Sequence, residues 1–185
     1  DPIERLFIQW GFSQVFPSKT LCAHVTTWNK DASIKFRTDV AMMCKLGFDI
    51  KMSDLNPNEQ VYCRQAVTEY NRLKPVILEG DLYRLVSPYG SNHTSSMYVN
   101  KDKNQAIVFA FDVYPRYGEH ILPVRLQGLE ANKMYQVKEI NLMPGASSSV
   151  NGNGQTFSGE YLMNVGLDLF TGYKLNSRII EIIAQ

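Results

Sequence analysis

Apolar residues recur mostly every three or four places up to Pro75, and mostly every second place after it. The change divides the chain into a helical part and a strand-rich part. Ile3, Leu6, Phe7 and Trp10 stand at i, i+3, i+4 and i+7, one helical stripe. Asp1 suits the N-cap, Pro2 the first helical position, and Glu4 the carboxylate of a capping box. A helix is therefore predicted from Pro2 to about Gln14, stopped by Pro17. Leu21 to Thr27 is short, apolar and β-branched towards its end, which predicts a buried strand. A second helix is predicted from Ser33 to Leu46, with Val40, Met43, Cys44 and Gly47 on one side and Gly47 as its C-cap. A third opens at Asn56-Pro57-Asn58-Glu59, carries Cys63, Ala66, Val67, Tyr70 and Leu73, and ends at Pro75.

Beyond Pro75 the alternation predicts strands at Leu82 to Val86, Ser96 to Asn100, Gln105 to Tyr114, Ile121 to Gln127 and Met134 to Ile140. Lys101-Asp102-Lys103-Asn104 reads as the turn of a hairpin. Ser177 to Ile183 is apolar on both faces and is expected in the centre of its sheet. Gly145 to Gly159, rich in Gly, Ser and Asn, reads as a long loop without assigned chemistry.

One buried strand between two amphipathic helices cannot make a sheet by itself. It has the pattern of the end of a (β/α)8 barrel: penultimate helix, last strand, last helix. The turn spacing of the later strands suggests an antiparallel sandwich. The expected fold class is α+β: a helix–strand–helix remnant of a (β/α)8 barrel, then an antiparallel β-sandwich. The expected domains are residues 1–52 for the barrel end, 53–75 for a linking helix and 76–185 for the β domain. A helix that begins at the first residue, with an apolar stripe in need of a partner, predicts a chain entered in mid-fold and cut from a larger protein.

Charge narrows the partners. Nineteen basic and eighteen acidic residues are well mixed and leave a net charge of +1, with no basic run, which argues against nucleic acid. No apolar stretch approaches the roughly 18 residues of a membrane span. The longest, Ala106 to Phe111, has a strand's length. Cys22, Cys44 and Cys63 are odd in number and lack metal-ligand spacing. They read as three buried thiols from a compartment that does not force disulfides; the compartment itself stays open between cytoplasm and periplasm. No cofactor and no metal is expected.

Specific stretches carry a resemblance. Asp1-Pro2-Ile3-Glu4-Arg5-Leu6-Phe7-Ile8-Gln9-Trp10-Gly11 is followed by Val15-Phe16-Pro17, Ala23-His24-Val25 and Lys35-Phe36-Arg37-Thr38-Asp39-Val40-Ala41-Met42. Leu78-Glu79-Gly80-Asp81-Leu82-Tyr83-Arg84-Leu85-Val86-Ser87-Pro88 and Tyr161-Leu162-Met163-Asn164-Val165-Gly166-Leu167 come later. In this order the stretches resemble the C-terminal part of glycoside hydrolase family 36, the α-galactosidases. The resemblance implies a retaining glycosidase on a (β/α)8 barrel with a β domain after it, acting on galactosides through two aspartates. The nucleophile of the family follows a Lys-Trp-Asp type motif, and the acid/base lies in a Ser-Asp-x-x-Asp type motif whose last aspartate Asp1 matches. On that reading no catalytic residue lies in this chain, and the isolated chain is expected to be inactive.

Three residues are candidates for the neighbourhood of the site. Asp1 serves either as a helix cap or as a carboxylate near the acid/base. His24 and Trp28 lie towards the C-terminal end of the predicted strand, where barrel sites gather. A Trp there can stack on a sugar ring and a His can bond a hydroxyl; both can also be packing residues. Arg37 and Asp39 read as a structural ion pair or cap, Asp81 as a turn residue, and His93 and His120 as solvated. A competing reading is a stand-alone carbohydrate-binding or oligomerisation module. It would need an exposed aromatic row, drawn from Tyr83, Tyr98, Phe109, Phe111 and Tyr135, although Phe109 and Phe111 alternate within an apolar strand. The uncovered stripe of the first helix predicts a homo-oligomer through residues 1–50, or packing of that segment on the β domain.

Overall fold

In a computed structural model, which describes residues 1–185, Asp1 caps helix α1 (Pro2–Phe12). Its Oδ1 accepts the Ile3 N–H at 2.8 Å and the Glu4 N–H at 3.4 Å. Strand β1 (Cys22–Thr26) follows, then α2 (Ile34–Met42), whose cap Ser33 accepts the Phe36 N–H at 3.1 Å. Helix α2 stops four residues short of the predicted Leu46. The chain turns instead into β2 (Lys45–Asp49), which lies parallel to β1. Gly47 is thus a strand residue opposite His24 and not a C-cap. A Cβ there would lie 2.1 Å from His24 Cδ2, so the imidazole occupies the space that any side chain would need.

Helix α3 (Pro57–Glu79) has the predicted capping box: Asn56 Oδ1 accepts the Glu59 N–H at 3.0 Å, and Glu59 accepts the Asn56 N–H at 2.9 Å. It does not end at Pro75 but runs through it to Glu79. An interior proline costs roughly 3 kcal/mol through its missing N–H and its ring clash. Val76 and Ile77 beyond it are buried, and each contributes about 1.5–3 kcal/mol. Burial therefore outweighs the break. The buried stripe is Tyr62, Cys63, Ala66, Tyr70, Leu73, Val76 and Ile77, while Val67, expected on it, faces solvent.

Six strands form one antiparallel sheet: β3 (Asp81–Val86), β4 (His93–Val99), β5 (Gln105–Asp112), β6 (Met134–Ile140), β7 (Thr156–Ser158) and β8 (Asn176–Ala184). Their order is β3-β4-β5-β8-β6-β7, so β8 is central, as its two apolar faces require. Strand β7 and the six-residue helix α4 (Gly159–Asn164) follow each other within and after the Gly-rich segment read as a loop. Ile107, Phe109 and Phe111 of β5 face the helices; Ala106, Val108 and Ala110 face the other way. That second face is covered by Val124, Leu126, Leu129, Leu162, Leu167 and Leu169. The predicted strand Ile121 to Gln127 is reduced to one bridge, Val124 with Leu167. Its alternation is real, with Val124 and Leu126 buried and Leu122 exposed, but it has no neighbouring strand to extend the ladder.

The helical part and the sheet share one core. Ile3, Leu6, Phe36 and Val40 pack in a single cluster with Tyr98, Phe109, Phe111 and Ile179. The α1 stripe thus lies on the β domain; Ile8, Phe12, Val15 and Phe16 on its outer side remain exposed. The same junction buries Asp39, midway along α2. Its carboxylate accepts from Asn141 Nδ2 at 2.6 Å, Ser177 Oγ at 2.7 Å, the Tyr62 hydroxyl at 3.2 Å, and Lys35. Two helices, β8 and the residue just after β6 converge on one charge, which fits the expected structural role of Asp39.

Several side chains lie elsewhere than expected. Cys44 and Cys63 are buried, but Cys22 is exposed, because β1 turns it to the uncovered side. His93 is not solvated. It is buried against Phe170, with Nδ1 2.8 Å from Asp112 Oδ1 and Nε2 3.6 Å from Glu119. The proposed aromatic row does not exist as a surface: Tyr98, Phe109 and Phe111 are buried on the helix side, and Tyr135 on the opposite side with Tyr83 packed beside it.

Candidate functional site

Strand β1 alternates. Ala23 and Val25 are buried towards α2 and α3, in a cluster with Ile34, Tyr62 and Ala66. Cys22, His24 and Thr26 therefore point to the opposite, uncovered side. His24 sits mid-strand, exposed, with its ring over Gly47. Past the strand's C-terminal end, the Trp28 N–H donates to Thr26 Oγ1 at 3.3 Å, and Asn29 takes a left-handed backbone (φ 54°). This turn leaves the Trp28 side chain 71% exposed.

Asp1, Arg5, His24, Trp28 and Arg37 line one cleft of about 270 Å³ at this end of the parallel pair. Arg37 Nη1 donates to the Thr26 carbonyl at 2.7 Å and ties α2 to the end of β1. Burial lowers the Arg37 guanidinium from its ordinary value, and nearby Glu59 counters this. Its Nε is buried without a partner. The three near-site candidates Asp1, His24 and Trp28 thus share a cleft. Arg37, read beforehand as structural, joins them. Arg5 was missed; its signal was its place one helical turn after Asp1 on the same face.

The chemistry of the cleft is limited by its carboxylates. Asp1 is the only one, and its Oδ1 already holds two backbone N–H groups of α1. Two arginines, an imidazole and an exposed indole can orient a polar ring. They cannot supply the acid and nucleophile pair of a double displacement. No three His, Cys, Asp or Glu side chains gather anywhere as a metal-binding group. No helix is long and apolar enough to cross a membrane.

Comparison with known proteins places these residues in context. Residues 1–80 match the family model described as Melibiase, and residues 93–182 match that of the glycosyl hydrolase family 36 C-terminal domain. Alpha-galactosidase 2 of Hypocrea jecorina is 30% identical over 191 residues, which take in all of this chain and 24% of that protein. Alpha-galactosidase AgaA of Geobacillus stearothermophilus is 31% identical over 150 residues, 78% of this chain and 21% of its own length. Among solved structures, the GH36 α-galactosidase AgaB of G. stearothermophilus superposes over the whole chain and 24% of its own, with a TM-score of 0.86 and 28% identity. An AgaA variant in complex with raffinose covers the whole chain with 25% of its own, at a TM-score of 0.86 and 27% identity. The chain spans about a quarter of the length of these relatives.

Proposed function

Because the chain belongs to glycoside hydrolase family 36, we propose that it is the C-terminal part of a retaining α-galactosidase that hydrolyses terminal α-D-galactosyl residues. Residues 1–52 are the end of the catalytic barrel, α3 is the linking helix, extended past Pro75 to Glu79, and the rest is the β domain. The second parallel strand moves the count expected from the sequence. β2 becomes the barrel's last strand and β1 the penultimate one.

The observation that carries the reading is the cleft at the C-terminal end of β1. It holds an exposed Trp, an imidazole, two guanidinium groups and a single carboxylate already used as a cap. Retention requires two carboxyl groups about 5–5.5 Å apart. We assign both to the barrel strands upstream of residue 1, and to this chain a share of the rim: Trp28 stacks on the sugar, and His24 and Arg37 shape the wall. The isolated chain is then inactive. Assay it on an aryl α-galactoside: the rate stays at background. Turnover that a substitution within this chain abolishes would overturn the assignment.

Self-association through residues 1–50 is the second part of the proposal, supported by Ile8, Phe12 and Phe16 on the outer side of α1, the latter two stacked at 4.7 Å. Light scattering is expected to give a mass above 21.1 kDa; a monomer at high concentration contradicts it.

A further inference from the structure

Four exposed tyrosines gather at one end of the antiparallel sheet. His93 opens β4 opposite Asp112 at the end of β5, and Asp112 faces Asn176 at the start of β8. The segments after β3, after β5 and before β8 therefore meet there. They carry Tyr89 (68% exposed), Tyr114 (49%), Tyr117 and Tyr173. None of these belongs to the buried aromatic set considered from the sequence.

Tyr89 and Tyr114 flank a cleft of about 590 Å³, within the range of small-molecule sites. It shares no residue with the cleft of His24 and Trp28. The Tyr89 ring is held in place: it meets Phe7 edge-on at 5.2 Å, and its hydroxyl donates to the Phe7 carbonyl at 3.4 Å. The Tyr114 backbone N–H donates to the Asn92 carbonyl at 3.2 Å, and Lys174 Nζ sits 5.0 Å from the Tyr114 ring centroid. A ring fixed as Tyr89 is loses little entropy when a ligand packs on it.

The polar lining is equally organised. Glu119 accepts the Arg116 N–H at 2.9 Å and both Asn92 Nδ2 contacts at 3.2 Å. The backbone hydrogen bond from Arg116, with the Asn92 amide and the nearby His93 and Arg116, holds the Glu119 carboxyl below the usual range. An ionised acceptor thus stands beside Arg116, whose guanidinium bonds no other group of the chain. Apolar rings next to a fixed acceptor and a free donor match a sugar, which has one face of C–H groups and a rim of hydroxyls. Galactose fits well: its axial 4-hydroxyl leaves the hydrogens of C3, C4 and C5 together on one face.

We propose that the Tyr89–Tyr114 cleft is a galactoside-binding site on the β domain. The C–H face of the sugar packs on the tyrosines, and its hydroxyls donate to Glu119 and accept from Arg116. The proposal rests on the galactosidase reading for the choice of sugar. The test is a heteronuclear NMR titration of this chain with raffinose into the millimolar range. Saturable shifts are expected in residues 87–92 and 113–119. Tyr89→Ala, Tyr114→Ala and Arg116→Ala should each weaken binding at least about fivefold with circular dichroism unchanged, and Tyr117→Ala, outside the cleft, should leave it unaltered. The proposal fails if neither segment shifts saturably, if the shifts are confined to residues 24–28, or if the Tyr89, Tyr114 and Arg116 variants all bind as the parent chain does. The titration reads binding and not turnover, so its failure leaves the catalytic assignment to be judged by its own assay.

Discussion

Gly47 and His24 are one structural decision. A side chain at 47 would overlap the imidazole at 2.1 Å, so Gly47→Ala must move His24 or spread the two strands. The overlapping atoms are the far end of an exposed side chain, so the ring turns aside and the loss stays below the roughly 1–3 kcal/mol of core overpacking. The His24 ring resonances should be displaced with little change in the urea midpoint; a loss of that full size would mean that the two strands spread instead. Asp39 is the more demanding position. Asp39→Ala strands Lys35 and leaves Tyr62, Asn141 and Ser177 without their acceptor. Breaking a buried charge at one partner costs about 3–5 kcal/mol. A loss under about 1 kcal/mol in the same experiment would show that water replaces the carboxylate. Gly47 looks like a helix cap until the strand beside it is known. A structural role for Asp39 was legible, but its partners were not: beyond Lys35, four positions back, they stand 23, 102 and 138 positions away.

Helix starts were legible because a cap is local: Asp1, Asn56 and Glu59 act on N–H groups two or three residues away. Helix ends were not. Lys45-Leu46-Gly47-Phe48-Asp49 has no clean alternation, since β2 is half-covered on both sides, so Lys45 and Leu46 continue the predicted helix and Gly47 reads as its cap. Pro75 looked terminal because its local cost is visible, whereas the tertiary gain from Val76 and Ile77 is not. That balance gives a prediction. Pro75 is exposed, so Pro75→Ala should restore the hydrogen bond to the Asn71 carbonyl and stabilise the protein by about 1–3 kcal/mol, read as a raised Tm. A lower Tm would mean that the proline sets the course of α3 onto the sheet. In the β domain an apolar stretch on both faces marks the central β8, and the alternation marks β3 to β6. It overstated residues 121–127, whose period is set by burial alone.

For the molecule as a whole, the junction between the helical part and the sheet dominates, and it also governs the response to alkali. The Tyr98 hydroxyl, buried there, donates to the Met43 carbonyl at 2.6 Å. Burial raises Tyr98 and Tyr62 above the ordinary value of 10.0 and pushes the Cys44 thiol up to about 12 from 9.0. Below the unfolded values both states hold these protons, and the stabilisation is complete. Above them the unfolded chain releases protons that the native state keeps, so stability falls as pH rises through about 9–10 and beyond. Tm should therefore drop between pH 8 and pH 10.5, and Tyr98→Phe should reduce the slope; a flat profile would contradict the burial of these groups. The candidate cleft was legible in part. Trp28 follows from where a strand ends and His24 from the face that the strand leaves uncovered, Arg5 and Arg37 only from how the two helices lie beside it. The most direct test replaces the matching quarter of AgaA from G. stearothermophilus with this chain and measures hydrolysis of an aryl α-galactoside. The account predicts that the chimera turns over, that Trp28→Ala in it raises KM, and that the isolated chain is silent. A folded chimera without activity, or an isolated chain that hydrolyses the substrate, would contradict it.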